Sequence, residues 1–358
     1  MYFSKNQIPY ILSTIPNTTQ FVHLQIMVET ELYSNSYEKI ADLETMPKNN
    51  EAVFFLEEFL DNALQYDFPD FAGTTHTTAL QVCKRFYVKY AFQTSTQNYS
   101  DMVWNTDQQE DFVVLLAGLE KNEFVHLRPN LLPTNGFLTK LPYLLLDRDQ
   151  QAFVGYMPKE NSETTIIFKV WYDNNAFHTV DLFALLQKNQ PIFFNVSFAV
   201  QNYLANLPAG RTIRQIDMQI GTDVFSLLVV QNYYLQTQNE IHFVNSLGAW
   251  DSLVCTGEDE QSVEIERSLF GHYLPLNYNY TDKTNQSYMI KKTTTGVIRS
   301  GFLPKEVYTP LLGDLLQSPK VLLKLDNRYI PIEITSKKAK MLEAKDYLYA
   351  FEIAYQIV

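Results

Sequence analysis

Short runs of alternating apolar and polar residues recur along this chain, and they constrain its fold more than any other feature. In residues 23–29, Leu24, Ile26 and Val28 fall on one face of an extended chain. Residues 165–172 carry the same period of two. That period is typical of strands with one buried face, so the sequence predicts a mainly β fold of many strands.

A few segments depart from this alternation or add detail to it. Residues 51–66 carry apolar side chains at helical spacing and predict one inserted helix, and residues 310–316 predict a helical turn. Runs at 320–325 and 329–334 bracket a polar turn, which predicts a hairpin, and residues 347–355 predict a C-terminal strand. Helix is therefore expected to be a minor component of the fold.

The length of 358 residues exceeds that of a typical single core, so two to three domains are expected. A stretch with several prolines, residues 127–142, predicts a domain connection. We predict an N-terminal β-sandwich with an inserted helix over 1–110, the connection and a second β-sandwich over 111–239, and a β-rich assembly domain over 240–358. The predicted fold class is thus mainly β, with tandem immunoglobulin- or fibronectin-like β-sandwich domains, a short inserted helix and a C-terminal β-rich domain.

Composition narrows the classes of partner. The formal net charge is −12, which repels phosphate groups, so no nucleic-acid partner is expected. No apolar stretch is long enough to span a membrane, and the N-terminus lacks a signal-peptide pattern, so synthesis in a cytoplasm is expected. Charged residues make up only 19% of the chain, which suits a β protein or one with flanks covered by neighbouring subunits.

Catalytic motifs are not visible in the sequence. The two cysteines, Cys83 and Cys255, and the six histidines lack the spacing of metal ligands or of a disulfide framework. The sequence has no nucleophile elbow, phosphate loop or dinucleotide fingerprint. We therefore predict a non-enzymatic protein with no catalytic residue, metal or cofactor. A hydrolase with scattered active-site residues stays open as a further hypothesis, because triads are recognised by geometry.

Acidic residues cluster at Glu258-Asp259-Glu260, followed by Glu264 and Glu266. One interpretation is a calcium site, because this cation binds several oxygen ligands. The spacing does not match an EF-hand loop, however. The favoured interpretation is an exposed loop leading into a strand that carries Glu264 and Glu266 on its outer face.

Aromatic side chains supply the candidate interaction residues. Trp250 is expected to anchor the core and is also a candidate interaction residue, together with a group of tyrosines between residues 273 and 288. That group consists of Tyr273, Tyr278, Tyr280 and Tyr288. Such a tyrosine-rich loop either stacks on sugar rings or lies against a neighbouring subunit, and the second interpretation is favoured because Tyr is enriched at interfaces.

Several motifs in residues 240–358 share their pattern with one group of proteins. They are Phe243-Val244-Asn245-Ser246-Leu247-Gly248-Ala249-Trp250-Asp251-Ser252-Leu253, Lys292-Thr293-Thr294-Thr295-Gly296, Gly313-Asp314-Leu315-Leu316-Gln317-Ser318-Pro319, Asn327-Arg328-Tyr329-Ile330-Pro331-Ile332 and Ala350-Phe351-Glu352-Ile353-Ala354-Tyr355. Together they resemble β-rich structural proteins encoded in the tail regions of phages and prophages of Bacteroidetes.

The resemblance implies a structural component of a phage or phage-like tail tip or baseplate. Such a protein acts by self-association as a homo-oligomer and by contacts with other virion tail proteins. It is made in the host cytoplasm and assembled into the virion tail. In this interpretation Asn245–Gly248 forms a turn, and Thr295-Gly296 marks a bulge or turn between strands. The alternative is a carbohydrate-binding or adhesin-like β-sandwich protein, with a glycan as its partner.

Overall fold

The structure is a computed structural model that describes most of the chain. The described residues are 1–66, 68–69, 76–108, 112–120, 123–124, 135–147, 151–196, 211–230, 239–271, 273–274, 276–279, 285–325, 328–336, 340–343 and 348–358. They form mainly β-strands in several sheets with two short α-helices, so the predicted mainly β class is confirmed. No helix in this part of the chain is long and apolar enough to cross a membrane.

The first third of the chain forms a six-stranded sheet and a separate pair of strands. In chain order its elements are β1 (Tyr2–Phe3), β2 (Pro9–Ser13), β3 (Thr19–Glu29), β4 (Tyr37–Thr45), β5 (Glu51–Phe55), helix α1 (Glu57–Asn62), β6 (His76–Thr78), β7 (Cys83–Thr94), a 3-10 turn (Tyr99–Asp101), β8 (Asn105–Asp107) and β9 (Val113–Leu115). The larger sheet has the order β1-β9-β7-β3-β4 with β8 beside β7, and β2 pairs with β5. Leu24, Ile26 and Val28 on β3 are buried, as their alternation predicts.

The helix expected over residues 51–66 is much shorter than predicted. Residues 51–55 form β5, an antiparallel partner of β2, and only Glu57–Asn62 is helical. Ala52 and Phe54 are buried while Val53 and Phe55 are exposed, which is the alternation of a strand. The prediction was wrong because the buried residues Ala52, Leu56 and Leu60 are four positions apart, a spacing that places side chains on one face of a strand and of a helix alike.

The middle of the chain forms a five-stranded sheet. Its elements are β10 (Tyr143–Asp147), β11 (Phe153–Tyr156), β12 (Ser162–Tyr172), β13 (Phe177–Leu186), β14 (Ile192–Asn195), β15 (Ile213–Ile220) and β16 (Asp223–Val230). The five-stranded sheet has the order β10-β16-β15-β12-β13, so β13 is its edge strand. Strands β11 and β14 join β6 of the first third in a small sheet.

The last third forms a nine-stranded sheet with one helix. Its elements are β17 (Asn239–Val244), β18 (Trp250–Cys255), β19 (Glu260–Gly271), β20 (Asn285–Arg299), β21 (Leu303–Pro304), helix α2 (Lys305–Gln317), β22 (Val321–Leu325), β23 (Arg328–Ile334), β24 (Lys340–Glu343) and β25 (Leu348–Ile357). The order is β18-β17-β22-β23-β25-β20-β19, with β21 and β24 also paired to β25. The predicted hairpin is confirmed as β22 and β23, and the predicted helical turn is the longer helix α2.

Two apolar cores hold these sheets together, and each draws residues from distant parts of the sequence. In one core, Trp250 of the last third belongs to the same cluster as Phe3 and Phe54 of the first third. In the other, Phe168 of the five-stranded sheet and Phe351 of β25 belong to the same cluster. The predicted segments 1–110, 111–239 and 240–358 therefore share their cores, while the domain boundaries themselves stay a prediction.

Candidate interaction surface

Strands β19 and β20 form a ribbon that extends beyond the rest of the nine-stranded sheet. Strand β20 pairs with β25 only through Thr295–Arg299, whereas it pairs with β19 along the whole length of that strand. Among the described residues, 263–271 and 285–294 therefore have no strand partner except each other. We call these two segments the arm, and its nine residues of β19 span about 30 Å.

One face of the arm is a stripe of aliphatic side chains with two cations, and we call it the apolar face. Its members on the two strands are Val263, Ile265, Arg267, Leu269, Ile290, Lys292 and Thr294. They share one face because side chains alternate along a strand and paired residues point the same way. The register places Lys292 beside Ile265, and Ile290 beside Arg267. The opposite face carries Glu264, Glu266 and Lys291, and it also exposes Phe270 and Met289, so it is the more polar of the two faces.

The aliphatic side chains of the apolar face lie in solvent. Val263, Ile265, Leu269 and Ile290 are each exposed by between 51% and 60%. The same strand also carries exposed side chains on its other face, so neither face is covered by the body of the protein. A ribbon of two strands is marginally stable in water by itself, and it gains stability when one face is covered. The arm therefore has the properties of an element that binds a partner.

The root of the arm is attached to the sheet by an ion-pair network and by close packing. Arg299 donates from Nε to Glu352 Oε2 over 2.9 Å and from Nη2 to Glu260 Oε1 over 3.1 Å. Gly296 lies next to the buried ring of Tyr355, where a Cβ would be 2.5 Å from Cζ. The expected bulge or turn at Thr295-Gly296 is thus wrong: both residues lie within β20, and the glycine makes room for the ring.

Two members of the predicted tyrosine group, Tyr273 and Tyr278, lie at the far end of the arm. Tyr273 is 100% exposed and Tyr278 is 60% exposed. Tyr280 lies outside the described residues, and so does the side chain of Tyr288, although its backbone belongs to β20. The two described rings are accessible to a partner at the tip of the arm.

Trp250, by contrast, is not accessible to a partner. Its side chain is 1% exposed and packs edge-to-face against Phe68, with ring centroids 5.1 Å apart. The expectation of a buried anchor is confirmed, and the expectation of an interaction residue is corrected, because no partner can reach a side chain buried to this degree. The turn that precedes it is also as expected, since Asn245 Oδ1 accepts from the Leu247 N–H over 3.0 Å and Gly248 has a φ of 80°.

The acidic residues that suggested a calcium site are spread along the base of the arm. Glu260 is bound to Arg299, while Glu264 and Glu266 are exposed on β19. Among the described residues, no three His, Cys, Asp or Glu side chains are grouped so that they could hold a metal ion. The favoured interpretation of an exposed strand face carrying Glu264 and Glu266 agrees with their positions.

A Ser-His-Glu chain of hydrogen bonds runs between the paired strands β17 and β18. Ser252 Oγ lies 2.8 Å from His242 Nδ1, and His242 Nε2 lies 2.7 Å from Glu240 Oε1. Lys324 donates to Glu240 Oε2 over 2.8 Å. The residue types are those of a hydrolytic triad, so the accessibility of the serine decides what the arrangement can do.

Ser252 and His242, the nucleophile and base of such a triad, are both buried. Ser252 is 2% exposed, and His242 is fully buried with the rings of Phe68, Phe153 and Tyr329 around it. Burial lowers the pKa of His242, against the raising effect of its bond to Glu240. A nucleophile that no substrate reaches cannot carry out acyl transfer, so this geometry supports a structural network and gives no support to a scattered hydrolase site.

A second buried polar cluster surrounds Asp251. Its Oδ2 accepts from Thr139 Oγ1 over 3.1 Å and from Asn245 Nδ2 over 3.0 Å. Burial, with a contribution from the charge of Asp314, raises the pKa of Asp251 to about 7. Asp314 lies beside a cleft of about 210 Å³, and Lys140 Nζ lies 3.6 Å from its carboxylate. Burial raises the pKa of Asp314, against the lowering effect of Lys140.

Sequence reasoning missed the aliphatic residues of the arm. Residues 263–266 alternate apolar and charged side chains, and Ile290 lies two positions before the Lys292 motif. That alternation indicates a strand, but it does not indicate that the apolar side stays uncovered. Only the pairing of β19 at the end of the sheet order identifies these side chains as a surface.

Comparisons with known proteins do not assign this chain to a family. No protein-family model matches it, and no curated protein matches it either.

Proposed function

We propose that this chain is a non-enzymatic assembly protein that uses its arm to join neighbouring subunits in a phage or phage-like tail tip or baseplate. The observation that carries the proposal is the apolar face of the arm, with Val263, Ile265, Leu269 and Ile290 about half exposed on a two-stranded ribbon. Exposed aliphatic side chains grouped on one surface are characteristic of protein–protein interfaces. The partner is a second copy or another tail protein.

Burial of the apolar face against a partner contributes several kcal/mol to association. Full burial of an aliphatic side chain contributes about 2 kcal/mol, so covering the exposed half of each residue contributes about 1 kcal/mol. Replacing three of them by threonine, which retains strand propensity, is therefore expected to weaken association by about 3 kcal/mol. That loss corresponds to an increase of about 100-fold in the dissociation constant.

The test compares two triple variants by light scattering behind size exclusion over a range of concentrations. The variant I265T/L269T/I290T removes the apolar face, and the control E264T/E266T/M289T changes the same number of residues on the opposite face. The wild type and the control should form the same oligomer, while the apolar-face variant should dissociate at about 100-fold higher concentration. Equal masses for both variants, or a wild type that stays monomeric, would overturn self-association through the arm.

The tail assignment rests on the motifs of residues 240–358 and needs its own experiment. Particles induced from a host that carries the gene can be purified, and their tails and capsids separated. Mass spectrometry should find the protein in the tail fraction at a fixed ratio to the other tail proteins. A protein that remains in the soluble lysate and is absent from the tails would remove this assignment and leave the assembly role to be judged separately.

The exposed tyrosines at the tip support one alternative function. Tyr273 and Tyr278 present their rings to solvent, and tyrosine rings stack on sugar faces. A glycan-binding protein would therefore retain saccharides on a glycan array and lose them in the variant Y273A/Y278A. The apolar-face variant I265T/L269T/I290T would still bind in that case, so the two functions are separable in one set of proteins.

A further inference from the structure

Strands β12 and β13 present an exposed face with apolar and acidic residues. One side of the five-stranded sheet is packed into a core through residues such as Ile166 and Phe168. The other side carries the alternate residues of these two paired strands. They are Glu163, Thr165, Ile167, Asp181, Phe183 and Leu185, and we call this set the acceptor face. Phe183 and Leu185, in the second half of β13, are each 60% exposed and form an exposed apolar patch.

We infer that the apolar face of the arm docks on the acceptor face of a second copy of this chain. The inference rests on the proposed function and names the partner surface for it. Charge complementarity decides the choice of partner. The apolar face carries Arg267 and Lys292 among its aliphatic residues, and the acceptor face carries Glu163 and Asp181 among its own. Opposite charges across an interface set the register and exclude wrong partners.

The charges on the apolar face oppose contact between two arms. If two apolar faces packed on each other, Arg267 and Lys292 of one copy would meet the same two cations of the other. Like charges brought together in a partly desolvated contact oppose binding. The arm thus fits the acidic acceptor face better than it fits itself.

The other end of the exposed sheet face is already occupied by internal contacts. Lys169 Nζ lies 4.0 Å from the centre of the Phe177 ring and 4.2 Å from that of Trp171. Trp171 donates from Nε1 to Asp217 over 2.7 Å. These contacts leave the end that contains Glu163, Phe183 and Leu185 as the open part of the face. Two depressions of about 540 and 450 Å³ flank Leu185 there and give aliphatic side chains room to insert.

The acceptor face matches the arm in width and covers about half of its length. The arm is about 30 Å long and about 10 Å wide, since it contains two strands about 4.8 Å apart. The acceptor face also contains two paired strands, and its five residues on each, 163–167 and 181–185, span about 17 Å. The contact is at the small end for a specific interface, as expected for one that is repeated around an assembly.

The two surfaces are different parts of one chain, so the contact is heterologous. Each copy donates an arm and accepts another, and repetition of such a contact gives a closed ring or an open filament. A tail tip or baseplate requires the closed ring.

Cysteine cross-linking tests the pairing directly. Cys83 and Cys255 are fully buried, so introduced thiols are the ones that oxidise. The double variant I265C/F183C, purified and oxidised, should give a ladder of covalent dimers, trimers and larger species on a non-reducing gel. Each single variant should remain a monomer band. The control E266C/F183C places the thiol on the opposite face of the arm and should lose the ladder.

Charge-reversal variants test the same pairing of surfaces without a covalent bond. The variant R267E/K292E should lose the oligomer in light scattering, and adding E163K/D181K to the same chain should restore the wild-type mass. All four residues are exposed, so the folded state should be retained, and far-UV circular dichroism checks this.

The outcomes separate this inference from the proposed function. If the wild type assembles, but I265C alone forms a covalent dimer and I265C/F183C gives no ladder, the arms pack on each other and the acceptor face is wrong. The assembly role of the arm would survive that result. A wild type that is monomeric at every concentration would overturn both.

Discussion

Replacing Asp251 by asparagine should change how the stability of this protein depends on pH. The carboxyl group of Asp251 has a pKa of about 7 in the folded protein, against 3.8 for an ordinary aspartate, because burial disfavours its charged form. The variant D251N keeps an oxygen that accepts from Thr139 and Asn245, but it cannot ionise. The comparison of the two proteins therefore isolates the ionisation of one buried group.

The magnitude follows from the two pKa values of Asp251. The folded pKa is raised, so its contribution to stability is complete below pH 4 and is lost as the pH rises towards 7. Between these limits the unfolded chain releases the proton that the folded chain retains. Each pH unit then lowers the free energy of unfolding by about 1.4 kcal/mol, and a span of about three units gives about 4 kcal/mol. Above pH 7 no further loss is expected from this group.

The assay is urea unfolding of wild type and D251N at a series of pH values from 4 to 8. Across this range the free energy of unfolding of the wild type should fall by about 4 kcal/mol relative to that of D251N. The stability advantage of the variant should therefore be largest near pH 8. The exposed residue Glu38 on β4 lies outside both proposed surfaces and provides a control, because E38Q should differ from the wild type by no more than about 0.5 kcal/mol throughout. Parallel curves for wild type and D251N would refute the buried, protonated state of Asp251.

Three further substitutions test packing and charge burial, each by the midpoint of denaturant unfolding. Arg85→Ala removes the partner of Glu29, a fully buried carboxylate that Arg85 Nε contacts at 2.8 Å, and should cost about 3 kcal/mol. Gly296→Ala places a Cβ 2.5 Å from the ring of Tyr355 and should cost about 2 kcal/mol. Gly313→Ala meets no atom within 4 Å and lies inside α2, so it should add about 0.8 kcal/mol. An unchanged midpoint for Gly296→Ala, or a lower one for Gly313→Ala, would contradict the packing described at that position.

Much of the fold follows from patterns that the sequence shows locally. The hairpin of β22 and β23 was predictable because two apolar runs bracket a short polar turn, and β3 was predictable from the alternation of Leu24, Ile26 and Val28. Strand β13 was not predicted. Its second half carries apolar residues on both faces, since Phe183 and Leu185 are exposed while Ala184 and Leu186 are buried, so its period of two is obscured.

The candidate site depended on long-range pairing that local patterns do not contain. The tyrosines of the tip were visible in the sequence, and Tyr273 and Tyr278 are exposed as an interaction role requires. The apolar face was not visible, because an alternating strand looks the same whether its apolar side meets a core or solvent. Only the position of β19 at the end of the sheet distinguishes the two cases, and that position depends on pairing of β20 with β25, more than fifty residues away in sequence.

The most direct test of the assembly role is the mass of the wild-type protein in solution, measured by light scattering behind size exclusion at several concentrations. Assembly through the arm predicts a defined oligomer that persists on dilution and is lost in I265T/L269T/I290T. A wild type that is monomeric at every concentration, with the same mass as that variant, would contradict it.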